Sequence, residues 1–177
     1  MAQRKRSPEA FLADLLRAAL RVRANAHAPY SQFPVGSAVL ADGRIYVGCN
    51  VENSAYPLSV CAERHAVAAA VAAGARRIEA VAVVGGRTRP SPPCGGCRQV
   101  LAEFCDANTP VVYSNAGGER IVTTVGELLP SAFTAADVAL PRGAEPESTG
   151  SDRGRSRAAP GTSQSAARRR GTRNSGR

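Results

Sequence analysis

The stretches CAERHAVAAAVAA (residues 61–73) and PCGGCRQVLAEF (residues 93–104) decide how this chain folds. The first is rich in alanine, holds no glycine or proline, and is followed by Gly74. It reads as a helix with its stop signal. The second starts behind Pro92 and Pro93, which suit the beginning of a helix. Each run opens on cysteine, Cys61 in one and Cys94 in the other, and Cys97 follows one helical turn after Cys94. A helix N-terminus carries partial positive charge and unpaired N–H groups, which favour a thiolate. Two such termini aimed at one metal ion account for all three cysteines.

Three thiolates at these spacings describe a zinc ion with one coordination position left open, as in catalytic sites, whereas structural zinc is closed by four protein ligands. Glu63 lies in the first turn after Cys61, where a carboxylate can exchange protons with water at the metal. Taken alone, Glu63 is also what any helix N-terminus attracts. Three other readings of the cysteines stand beside the open zinc site. Cys94 and Cys97 form a C-x-x-C pair at a strand-to-helix junction, the pattern of a redox dithiol, but that leaves Cys61 and Glu63 unused. A closed structural zinc site would take His65 as fourth ligand. A disulfide framework fits worst, because five cysteines are an odd number and no secretory signal is evident. Cys105 falls about 12 Å beyond Cys97 along a helix, out of reach of the site. Cys49 reads as a small buried hydrophobe.

Around these runs the chain alternates strand and helix patterns. Residues 8–26 read as an amphipathic helix with Phe11, Leu12, Leu15, Leu16, Ala19 and Leu20 on one face, started by Ser7-Pro8. Val35–Leu40 and Arg44–Cys49 flank Ala41-Asp42-Gly43, a hairpin signal. Glu79–Val84, Pro110–Tyr113 and Arg120–Thr123 are further strands, the last entered by a turn at Asn115–Gly118. The expected fold is an α/β sandwich of about five strands in one domain.

Three blocks carry a resemblance to a known family. They are Ala28-Pro29-Tyr30-Ser31-Gln32-Phe33-Pro34-Val35-Gly36, then Gly48-Cys49-Asn50-Val51-Glu52-Asn53-Ser54-Ala55-Tyr56, and Pro93 to Phe104. With Cys61-Ala62-Glu63 they resemble the small cytidine deaminases of nucleoside salvage, in the branch whose zinc ligands are all cysteine. The likeness extends over residues 8–141. It implies a three-layer α-β-α sandwich with a mixed five-stranded sheet, and a homotetramer acting on cytidine and deoxycytidine. In that family's terms Cys61, Cys94 and Cys97 hold Zn2+, and Glu63 moves protons while a zinc-bound hydroxide attacks C4 of cytosine. Phe33 packs on the pyrimidine, Asn50 and Glu52 bind the ribose, and the backbone near Ala62 and Cys94 reads the base. Arg64 and Gln99 contact the cysteine sulfurs, and Phe133 closes a neighbouring subunit's site. Read without the family, Phe33 beside Pro34-Val35 is an ordinary core ring, and Asn50, Glu52 and Arg64 are solvated surface groups. The physical reading and the resemblance converge on Arg64: three thiolates on one divalent ion leave negative charge that a guanidinium offsets. The competing functions are deamination of a nucleoside antibiotic such as blasticidin S, and a nonenzymatic zinc-stabilised module that binds nucleic acid.

Composition sets the remaining expectations. Charges at Asp14 and Arg17 interrupt any signal-peptide core behind Arg4-Lys5-Arg6, and no uncharged span approaches membrane length, so a cytoplasmic protein without a membrane partner is expected. Residues 1–7 form a basic extension. Residues 142–177 contain no Leu, Ile, Val, Met, Phe, Tyr or Trp, and hold nine arginines against three acids, a net +6 of the chain's +9. Such a segment cannot bury enough apolar surface to offset its ordering entropy, so it reads as a disordered tail. Any nucleic-acid contact would run through it, but it lacks aromatic rings to stack on bases, and none is expected.

Overall fold

The structure is a computed structural model that describes residues 11–138. The basic N-terminal extension, the Ser7-Pro8 helix start and the arginine-rich tail lie outside the described residues. Helix α1 (Leu12–Arg23) precedes the hairpin of β1 (Gly36–Ala41) and β2 (Arg44–Cys49). Then follow α2 (Ala62–Ala72), β3 (Ala80–Val84), α3 (Gly95–Phe104), β4 (Pro110–Ser114), β5 (Arg120–Thr124) and the single turn α4 (Val125–Leu128). The hairpin turns on Asp42 (φ 51°) and Gly43 (φ 70°), the left-handed pair that a two-residue type I′ connection demands.

The five strands form one mixed sheet in the order β2-β1-β3-β4-β5. Only β3 and β4 are parallel, and α3 is the crossover between them. Residues alternate between the two faces of the sheet, and both faces are covered. Val39, Ala41, Val81, Val83 and Val111 pack with Ala66, Val67 and Ala70 of α2 and Leu101 of α3. Ala38, Leu40, Ala80, Ala82, Val84 and Val112 pack with Leu15, Ala18 and Ala19 of α1. This is the three-layer sandwich, and it explains why β1 and β3 are buried throughout instead of alternating with polar residues.

Two glycines let helices lie close on the sheet. A Cβ on Gly36 would sit 2.1 Å from the Ala19 carbonyl oxygen of α1, and one on Gly48 would sit 2.5 Å from the Ala62 carbonyl oxygen of α2. The second approach pins the first turn of α2 onto β2, so the helix that begins at Cys61 has a fixed position over the sheet. Phe11 at the N-cap and Leu12, Leu15, Leu16 and Ala19 of α1 pack on the sheet as expected, and the first approach accounts for the one departure, at Leu20. Ala18 and Ala19 are buried while Leu20 is 47% exposed. Close contact selects alanine over leucine, and the helix is turned so that its small residues meet the strand.

Candidate active site

β2 does not end in a turn. Beyond Cys49 the chain stays extended, with Val51 paired to Val60 on one side and bridged to His27 on the other. Asn50 and Glu52 therefore project alternately with Val51 and share one side of the segment. That side faces the loop of residues 28–35, which carries Phe33. Opposite, the carboxyl end of β3 leads through residues 85–93 into the start of α3. This end of the parallel pair is where α/β sheets open crevices for ligands.

The two cysteine-led helix starts meet there. Cys61 is the N-cap of α2 and Cys94 the N-cap of α3, with Cys97 in the first turn of α3. Their three Sγ atoms lie within 4.8 Å of one another, and those of Cys61 and Cys94 are 3.9 Å apart. Tetrahedral ligands at a Zn–S length of about 2.3 Å are separated by about 3.8 Å, so the thiols stand at the spacing zinc requires. None of the five cysteines is paired in a disulfide. A third sulfur beside the C-x-x-C pair is what a metal uses and a redox dithiol does not. His65 is not the fourth ligand, because its Nδ1 is 2.8 Å from the Cys49 carbonyl oxygen and outside the thiol cluster.

The trio already holds negative charge. The Cys61 thiol is pulled down to about 6, first by its hydrogen bond with Cys97 and against the effect of burial, with Cys94 and the charges of Arg64 and His65 adding to the shift. Cys97 is pushed up, because its proton is held by Cys61 and because it is buried near Glu63. One thiolate thus shares the protons of its neighbours, which a divalent cation would displace.

Glu63 is 5% exposed beside this cluster. Burial raises its pKa, and the Cys61 charge adds to the rise. Burial and the neighbouring charge both favour its protonated form, which suits a carboxyl that must give a proton as well as take one. It forms the floor of a cleft of about 380 Å³, large enough for a small heterocycle and part of a sugar. Phe33, Asn50, Glu52, Ala62 and Cys94 line the same cleft, while Phe133 is not among its lining residues. Phe33 is 43% exposed, which makes it a cleft wall and not a core ring.

Two expected contacts differ. The Gln99 amide nitrogen donates to the Phe133 carbonyl at 2.6 Å, in place of the cysteine sulfur assigned to it. Its reach is set by where the 129–133 segment returns over α3, which spacing along the chain does not reveal. Arg64 is exposed on α2 and bears on Cys61 through its charge. The direct brace of the metal loop is a residue that sequence reasoning passed over. Arg98 donates from Nε to the Pro93 carbonyl at 2.9 Å and from Nη1 to the Leu128 carbonyl at 2.8 Å, tying the turn before Cys94 to α4. Phe133, held by Gln99, is 63% exposed. Ser31, Ser91 and Pro92 also line the cleft without having been singled out.

A metal-ligating trio with a buried acid at the end of a substrate-sized cleft defines a metal-dependent hydrolytic enzyme on an α/β scaffold. The comparisons narrow that class. The family model of the cytidine and deoxycytidylate deaminase zinc-binding region matches residues 10–113. A cytidine deaminase of Sporosarcina psychrophila is 52% identical over 119 residues, which cover 67% of this chain and 88% of the relative. One from Halalkalibacterium halodurans is 49% identical over 125 residues, covering 70% and 95%. The crystal structure of cytidine deaminase from Burkholderia pseudomallei superposes with a TM-score of 0.66 at 48% identity, over 68% of this chain and 98% of that one. The chain belongs to the zinc-dependent cytidine and deoxycytidylate deaminase family.

Proposed function

We propose that the protein hydrolyses cytidine and 2′-deoxycytidine to uridine and 2′-deoxyuridine with release of ammonia. The observation that carries this reading is the buried Glu63 carboxyl beside three convergent thiols at the floor of the cleft. Zinc held by Cys61, Cys94 and Cys97 supplies the Lewis acidity that makes water a nucleophile near pH 7. The rest falls to the chain's own groups. Phe33 packs on the pyrimidine face, and Asn50 and Glu52 at the cleft mouth receive sugar hydroxyls. The backbone around Ala62 and Cys94 fixes the edge of the base. Glu63 accepts a proton from the attacking water and delivers it to N3. Glu63 then takes the remaining proton from the oxygen added at C4 and passes it to the departing amino group as the C4–N bond breaks. Water thereby supplies the C4 oxygen, the proton kept at N3 and the single proton that leaves with ammonia.

The finer features are part of the same reading. Pyrimidine salvage in the cytoplasm suits a site that depends on reduced cysteines, and the described residues include no helix long and apolar enough to cross a membrane. A homotetramer, in which Phe133 of each subunit closes a neighbour's cleft, is supported by exposed Tyr56, Leu58 and Phe133, at 70%, 67% and 63%. Loss of cytidine absorbance measures the activity directly. Turnover is expected to stop when zinc is stripped by a chelator and to return when zinc is restored. Full activity in verified metal-free protein would overturn the reading.

A further inference from the structure

The groups proposed to bind the sugar are already in use within the protein. Glu52 Oε2 accepts from the backbone N–H of Tyr30 at 2.9 Å and of Ser31 at 3.1 Å, and Oε1 accepts from the Ser31 hydroxyl. Asn50 Oδ1 accepts from Val35 N–H at 2.8 Å, and its Nδ2 donates to the Phe33 carbonyl at 3.0 Å. Both side chains therefore brace the loop that carries Phe33. Ser31 is the node of this network. Its hydroxyl donates to Glu52 while its oxygen accepts from the Phe33 N–H at 3.0 Å. One small side chain thus joins the carboxylate at the sugar end of the cleft to the ring at the base end. The next residue, Gln32, holds a left-handed φ of 54°, so the loop reverses sharply between Ser31 and Phe33. The edge-on contact of Tyr30 with Tyr56, ring centroids 5.8 Å apart, ties the loop to the short turn Tyr56–Leu58.

A carboxylate offers about four lone-pair positions, and three are taken by the loop, which leaves one for substrate. We propose that Ser31 is a positioning residue that couples sugar recognition to base packing, by fixing the one free acceptor direction of Glu52 relative to the Phe33 ring. This role rests on the nucleoside reading above. Without the hydroxyl, Glu52 keeps its two backbone partners but is free to turn about them. Phe33 N–H loses its acceptor, and the two ends of the substrate are no longer held in register. Because Glu63 and the thiols are untouched, the loss should fall on binding and not on chemistry.

The test is steady-state kinetics on cytidine with S31A, S31T, E52Q and the S31A/E52Q pair, with zinc content and melting temperature measured for each. S31A is expected to raise KM about tenfold, the scale of one hydrogen bond to a charged group, with kcat within about twofold of the parent. Ser31→Thr, which keeps the hydroxyl, should restore KM. In the E52Q background, S31A should add less than about threefold, because both substitutions break one interaction. A purely structural role would lower zinc content or melting temperature and give additive losses. An unchanged KM in S31A, or additive losses in the pair, overturns the role of Ser31 while parental turnover leaves the nucleoside reading intact. Absence of cytidine turnover in the parent protein overturns both.

Discussion

Glu63→Gln is expected to lower kcat on cytidine by about 10²- to 10⁴-fold, the span of general acid–base catalysis, while zinc content stays at that of the parent. The upper part of that range applies because one carboxyl serves two proton transfers, first at N3 and then at the leaving amino group. Glutamine keeps the shape and can hydrogen-bond where the carboxylate did, but it cannot carry a proton between atoms. The side chain is 5% exposed, so bulk water is poorly placed to substitute for it. Zinc content separates this loss from a damaged site, since Glu63 is outside the thiol trio. Metal-loaded E63Q with more than about a tenth of parental kcat would remove Glu63 from the reaction, because a general acid–base group contributes at least about a hundredfold.

Cys97→Ser has the second largest effect, and it acts through the metal. Cys97 is fully buried and stands one turn from Cys94, so it joins the two helix starts from the inside of the cluster. A hydroxyl of nearly the same size preserves packing but is a poor partner for zinc beside two thiolates. Changing even the partners that orient metal ligands costs about 10- to 100-fold in affinity, so loss of a ligand should exceed about a hundredfold. The expected result is substoichiometric zinc after dialysis and activity that falls in proportion. The fold should survive, because the sandwich core is built on both sheet faces and does not depend on the thiols. Stoichiometric, chelator-resistant zinc in C97S would show that Cys97 is not a ligand.

How far the sequence discloses this arrangement depends on how local the cause is. The hairpin was readable because Asp42-Gly43 imposes its own turn, and both residues adopt the left-handed φ it needs. The starts of α2 and α3 were readable because Cys61 and Cys94 sit at N-cap positions bounded by Gly74 and by Pro92-Pro93. The thiol trio followed from those starts. The buried face of α1 was readable from its period except at Leu20, which is exposed because the close approach over Gly36 seats Ala18 and Ala19 against the sheet. The one-turn helix α4 went unread although its capping box, Thr124 with Glu127, is plain in the sequence. A single turn has no apolar period to announce it. The partners of Gln99 and Arg98 are set by where residues 128–133 return over α3, a tertiary fact with no local signal. The loop bonds of Asn50 and Glu52 belong to the same class.

Every step of the proposed reaction needs a metal held by three sulfurs and open to water on the remaining side. X-ray absorption at the zinc edge of the purified protein reads that coordination directly. The expected spectrum has three sulfur scatterers at about 2.3 Å and one oxygen at about 2.0 Å, with the oxygen shell changing when a cytidine analogue is added. Four sulfurs, or three sulfurs with the multiple-scattering signature of an imidazole, would mean a closed site and contradict the account.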